Sequence, residues 1–334
     1  MAQNTLSLLS WSDYIDPELI RAFEREFDVR IELVNFDNED ERDRKMTAAD
    51  GRGFDLILVN NNSLPDYIAM NWLSPVNEQQ LSQFQHIDPR WRYVQNDKHY
   101  AIPYLWGTIG IAWRADRISQ APTNWSELYT LAANGNHPVE LMENHRDLMG
   151  TALLASGHSV NSQSDKALRQ ASALIRDALQ GEARLNNPIL TSDAPLVRGE
   201  VHLAMMYNGD ALFLAELEPD IQFTVPASGT IMWVDYWAIA RHSENIKLAH
   251  RFLDFINRPA IAARNSEYLH YASTNYSALK LLDNSVYSNE LIYPPKATVE
   301  RAEVNQALPP KVRARYQHWY HRAKTQQPKR PASR

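Results

Sequence analysis

Three short stretches set aromatic rings beside a carboxylate: Trp11-Ser12-Asp13-Tyr14, Tyr207-Asn208-Gly209-Asp210 and Trp233-Val234-Asp235. A fourth, Arg146-Asp147, opens a helical stretch with an acid. Carboxylates neutralise ammonium groups, and ring faces attract cations while covering methylene chains. Burying a flexible organic cation needs both, because an unpaired charge is costly away from water. In Trp233 and Asp235 the spacing of two puts both side chains on one face of a strand.

Each stretch also has an ordinary structural use. Trp11 suits a core. Asp13 suits a cap on a helix opening at Pro17, although Asp16 is better placed. Asp147 suits a solvated helix face and Asp210 a cap after Gly209. Trp233 and Asp235 suit any strand. The binding reading gains from their recurrence at expected strand ends.

Catalytic signatures are missing. The chain has no G-x-S-x-G elbow, no H-E-x-x-H and no Walker A loop. Gly51 and Gly53 follow a helix and read as its stop. His318 and His321 share a helical spacing without an acidic companion. Cysteine is absent, which excludes disulfides, thiolate chemistry and Cys-ligated metal. The reading is therefore a binding protein with no enzymatic role, no cofactor and no metal. A net charge of −6 argues against a nucleic-acid partner and suits a cationic ligand.

The elements that position these residues follow from periodicity. Residues 5–10 alternate as a strand. Asp16-Pro17-Glu18 opens a helix with a cap, a first-turn proline and an acid. Residues 29–35 alternate again, 39–50 read as a charged helix, and 54–59 as a buried strand. This order indicates a doubly wound α/β lobe, whose ligands sit beyond the carboxyl ends of strands. Residues 100–113 read as extended. A second α/β region follows, with helices over 125–133, 146–156, 166–180 and 194–199, and strands over 201–206, 221–225 and 233–240. Helices are expected at 246–257 and 259–268. Residues 311–320 are amphipathic, and 325–334 are expected to be a disordered tail. No segment of 18 or more apolar residues is present to span a membrane.

With these pieces in place, the chain resembles the periplasmic spermidine/putrescine-binding proteins of ABC transporters, from Leu6 to about Lys324. The resemblance rests on Ser10-Trp11-Ser12-Asp13-Tyr14, on Tyr100-Ala101-Ile102-Pro103-Tyr104-Leu105-Trp106-Gly107-Thr108, on Tyr207-Asn208-Gly209-Asp210 and on Trp233-Val234-Asp235. It implies two α/β lobes of the type II periplasmic-binding-protein kind, crossing near Gly110, Trp233 and Leu281. The expected division is 1–110 with 234–280, and 111–233 with 281–324. It further implies an interlobe cleft holding a polyamine. Trp11, Tyr14, Tyr207, Trp233 and Tyr271 would line the alkyl chain, and Asp13, Asp147, Asp210 and Asp235 would face ammoniums. Ser12, Asn62, Ser63 and Gln306 complete the expected contacts. Asn62-Ser63 replaces a tyrosine of spermidine-type members, and Asn144 stands where a second acid would be. The implied partners are an ABC permease or, alternatively, a membrane signalling receptor served by a ligand sensor. The implied state is a periplasmic monomer whose leader has been removed.

Overall fold

The structure, a computed structural model, describes residues 4–325. Strand β1 (Asn4–Trp11) lies parallel to both β2 (Val29–Phe36) and β3 (Leu56–Asn60). Helix α1 (Pro17–Phe27) connects β1 to β2, and α2 (Glu39–Ala48) connects β2 to β3. Asp16 caps α1 by accepting from the Glu18 amide at 2.8 Å, with Pro17 at the first helical position. All five residues of β3 are buried, as expected of a central strand with both faces covered.

The chain divides into two compact units. Of the described residues, the first comprises 4–106 and 233–293, the second 107–232 and 294–325. Two long strands, Ala101–Arg114 and Ile231–Ala240, run through the division. The last passage falls at Tyr293–Pro294, later than Leu281. The extra residues belong to the first unit because Ile292 is buried and the Tyr293 hydroxyl bonds Ser266 Oγ and the Ser273 amide, both at 3.1 Å.

In the first unit Ile231–Ala240 lies antiparallel to β3, with Asp235 opposite Asn60. That register sets Asp235 at the carboxyl end of β3. In the second unit Val139–Met142 pairs in parallel with both Leu203–Tyr207 and Ala183–Asn186. Leu203–Tyr207 runs antiparallel to the latter half of Ala101–Arg114. Ile221–Thr224 covers the same strand, so Phe223 and the Thr224 carbonyl press against Gly110, where a Cβ would collide with both. Helices Trp125–Ala133, His145–Ala155, Asp165–Gln180 and Pro310–Thr325 pack in this unit.

Most expected elements form within two residues of their predicted ends. The expected helix at 194–199 does not: it is a run of turns ended by Gly199 at φ 69°. A six-residue segment closed by a left-handed glycine is too short to propagate a helix. Strands Val139–Met142 and Ala183–Asn186 were not expected, since four residues give periodicity little to act on. Past Thr325, the expected tail lies outside the described residues. Among the described residues no helix is long and apolar enough to cross a membrane.

Candidate functional site

The first unit gathers its candidate residues at the carboxyl ends of β1 and β3. Trp11 ends β1 and leans on Phe36 with ring centroids 4.4 Å apart. The chain then turns through exposed Ser12 and Asp13, the latter at φ 52°. Asparagine and aspartate tolerate that left-handed conformation better than most residues. A hollow of about 200 Å³ opens here, lined in part by Trp11, Asp13, Tyr14 and Asn35. Neighbouring Asp16 is committed elsewhere: it caps α1 and accepts from Arg264 Nε at 2.6 Å.

Tyr14 turns inward and hydrogen-bonds the Asp235 carboxylate through its hydroxyl. Burial, and then the Asp235 charge, hold its pKa well above the ordinary phenol range, so it stays a neutral donor. Its ring stands 5.7 Å from Tyr104 and 5.9 Å from Tyr271, both edge-on. Tyr271 in turn meets Trp233 at 4.9 Å and 86°. The Tyr104 hydroxyl donates to the Tyr14 carbonyl at 2.8 Å and accepts from Asn265 Nδ2 at 2.8 Å. Four aromatic residues thus form a continuous edge-to-face series beside one half-buried carboxylate. Rings locked this way present fixed faces and edges at little cost in entropy.

Asn62 is half-buried after β3. Ser63 is buried and its hydroxyl accepts from Arg42 Nη2 at 2.8 Å. Arg42, 1% exposed, also donates to Tyr67 and Asp43, both at 3.1 Å. The sequence reading missed Arg42, and it missed Glu39, which accepts a hydrogen bond from Asn60 Nδ2. Asn60 is the residue opposite Asp235, so a second carboxylate is attached to the same strand end. Acids in a first helical turn are favoured by the helix dipole alone, so nothing in the sequence set Glu39 apart.

The second unit builds a smaller acidic centre. Asn144 caps helix His145–Ala155, its Oδ1 accepting from the amides of Arg146 at 2.9 Å and Asp147 at 3.2 Å. This fixes buried Asp147 in the first turn. Its Oδ2 accepts from the Tyr207 hydroxyl at 2.8 Å and its Oδ1 from Asn305 Nδ2 at 2.9 Å. Burial raises the carboxyl to about 6, against the opposing effects of the Tyr207 bond and the Arg146 charge. Arg146 directs its guanidinium to Asn161 at 3.1 Å and Asn305 at 3.2 Å, and lies over the Tyr316 ring at 4.6 Å.

Asp210 is half-buried in the first turn of helix Asn208–Leu217. Gln306 is exposed, and its amide donates to Asn161 Oδ1 at 2.9 Å. The side chain that reaches Asp147 from this segment is its neighbour Asn305, which sequence reasoning did not single out. Asp147 and Tyr207 are thereby brought together, as are Tyr14, Trp233, Asp235 and Tyr271. Among the described residues no group of three or more His, Cys, Asp or Glu is placed to hold a metal.

Comparison with known proteins is consistent with this chemistry. The family model described as bacterial extracellular solute-binding protein matches residues 18–292. A norspermidine sensor of Vibrio cholerae is 31% identical over 312 residues, covering 91% of this chain and 84% of that protein. A spermidine/putrescine-binding periplasmic protein of Escherichia coli is 25% identical, covering 90% and 86%. A solved structure from Listeria monocytogenes, described as a spermidine/putrescine ABC transporter, superposes with a TM-score of 0.87 at 27% identity over 96% of this chain and 99% of that one.

Proposed function

Because the chain belongs to the bacterial extracellular solute-binding proteins, we propose that it captures a polyamine of the spermidine, norspermidine or putrescine class and presents it to a membrane partner. Binding rather than catalysis is the work of this family. The observation that carries the choice of ligand is Asp235, set in a series of aromatic rings with Tyr14 donating to it. A carboxylate flanked by rings suits an ammonium on an alkyl chain. Asp147, held by Tyr207 and Asn305, supplies the same chemistry in the second unit.

Trp11, Tyr14, Tyr207, Trp233 and Tyr271 cover methylenes in this reading. Asp13, Asp147, Asp210 and Asp235 meet ammoniums, with Ser12, Asn62, Ser63 and Gln306 at the margins. Delivery to an ABC permease from the periplasm is the first reading, supported by relatives named as periplasmic binding proteins. Presentation to a signalling receptor is the second, supported by the 31% identical relative named as a norspermidine sensor.

A thermal-shift panel of putrescine, cadaverine, norspermidine, spermidine and spermine tests the ligand class. A ligand at 100 times its dissociation constant stabilises the folded form by about 2.7 kcal/mol, a shift of several degrees for a chain of this size. A panel in which none of the five raises the melting temperature refutes the proposal.

A further inference from the structure

The C-terminal helix carries charge that the solute-binding reading leaves unused. Residues 311–334 hold eight Lys and Arg and no acid, so residues 1–310 carry −14 against −6 for the whole chain. Helix Pro310–Thr325 buries Val312, Tyr316, Tyr320 and Ala323 against its own unit. Its attachment is firm. The Tyr316 hydroxyl donates to the carbonyls of Val160 and Ser162 at 2.9 Å, the Tyr320 hydroxyl to the Glu143 carbonyl at 3.0 Å, and Trp319 Nε1 to Asp165 at 2.9 Å.

Lys311, Arg315, His318 and Arg322 recur at spacings of four, three and four, which aligns them in one stripe away from the buried face. Lys311, His318 and Arg322 are exposed and Arg315 is half-exposed. Among the described residues no carboxylate pairs with Lys311, Arg315 or Arg322, whereas Lys324 pairs with Glu143. Like charges at this spacing repel, and the helix has no acid of its own to offset them. The sequence past the described residues adds Lys329, Arg330 and Arg334, again without an acid.

We propose that this basic stripe docks the second unit on a membrane surface bearing anionic phospholipid headgroups. A stripe of about 17 Å, at 1.5 Å per residue, spans several headgroups. The helix's apolar residues are already buried in the protein, so it lies on the surface rather than inserting as a free amphipathic helix does. The attraction is electrostatic, and it falls off within a Debye length and weakens with salt. The inference goes beyond the solute-binding reading and does not depend on which polyamine is bound.

The test is co-sedimentation of the full chain with vesicles of phosphatidylcholine, with and without phosphatidylglycerol, at low and high salt. The chain is expected to pellet only with the phosphatidylglycerol vesicles and to be released by salt. The triple variant Lys311→Gln/Arg315→Gln/Arg322→Gln should partition about 100-fold less, at roughly five-fold for each cation lost. Its melting temperature without ligand should not fall below that of the parent chain, which shows that it is folded. Equal pelleting by the variant, or none by the parent chain, overturns the proposal. So does capture of the parent chain by soluble polyglutamate without any binding to vesicles, which would point to an acidic protein surface instead.

Discussion

Asp147 sits where an ionised carboxylate is disfavoured by burial, and its carboxyl is raised to about 6. An alkyl ammonium, with a pKa near that of lysine at about 10.4, stays charged throughout this range. Ligand capture at Asp147 should therefore favour the ionised acid and release protons at acidic pH. We expect polyamine affinity to rise as pH increases through about 6, and calorimetry in buffers of different ionisation enthalpy to report proton release. Asp147→Asn should flatten that profile. The sign for the ligand-free chain is the reverse. A folded-state value above the ordinary 3.8 means that this group's stability contribution is full below about 4 and is lost as pH rises through about 6, a difference of about 3 kcal/mol. Tyr14 allows a narrower test. Tyr14→Phe keeps the ring but deletes the donor to Asp235, and should weaken polyamine binding about 10- to 100-fold by calorimetry, in line with the 1.5–3 kcal/mol of a hydrogen bond to a charged group. Tyr14→Ala should cost more, since the ring goes too.

At the scale of elements, the register of Ile231–Ala240 against β3 decides where Asp235 points. A slip of one residue would turn it to the opposite face. The approach of Ile221–Thr224 over Gly110 constrains the second unit similarly. Gly110→Ala should destabilise the chain by about 1–3 kcal/mol, the usual cost of overpacking, read as a lower midpoint in urea. The first unit's order of elements was legible because β1, α1 and β2 carry clear periodicity, α1 has a cap and α2 is a charged run with a glycine stop. The aromatic and acidic motifs were legible because each pairs a ring or a basic residue with a carboxylate within a few residues, whether at a strand end, as at Trp11, or inside a strand, as at Trp233. The short strands at Val139 and Ala183 were not, and neither were the residues that tie the acids down. Asn305 and Asn60 reach Asp147 and Glu39 from positions distant in sequence, and their types give no local sign of it. Ser63 was read as a site residue from its place after β3, yet its hydroxyl is engaged by buried Arg42, a contact that only the fold reveals.

For the whole molecule, the acidic balance of residues 1–310 favours the approach of cations, and clustered charge of one sign raises their local concentration and on-rate. Polyamine association should accordingly slow as salt increases, measurable by stopped-flow tryptophan fluorescence given the nine Trp residues. The central claim is that Asp235 and its surrounding rings recognise an alkyl ammonium. Calorimetric titration of spermidine and norspermidine into the parent chain and into Asp235→Ala tests it most directly. The parent should bind at least one of them, and the variant should bind it on the order of 100- to 1,000-fold more weakly, the range for removing one partner of a desolvated charge pair. Equal affinity in the two proteins would contradict it.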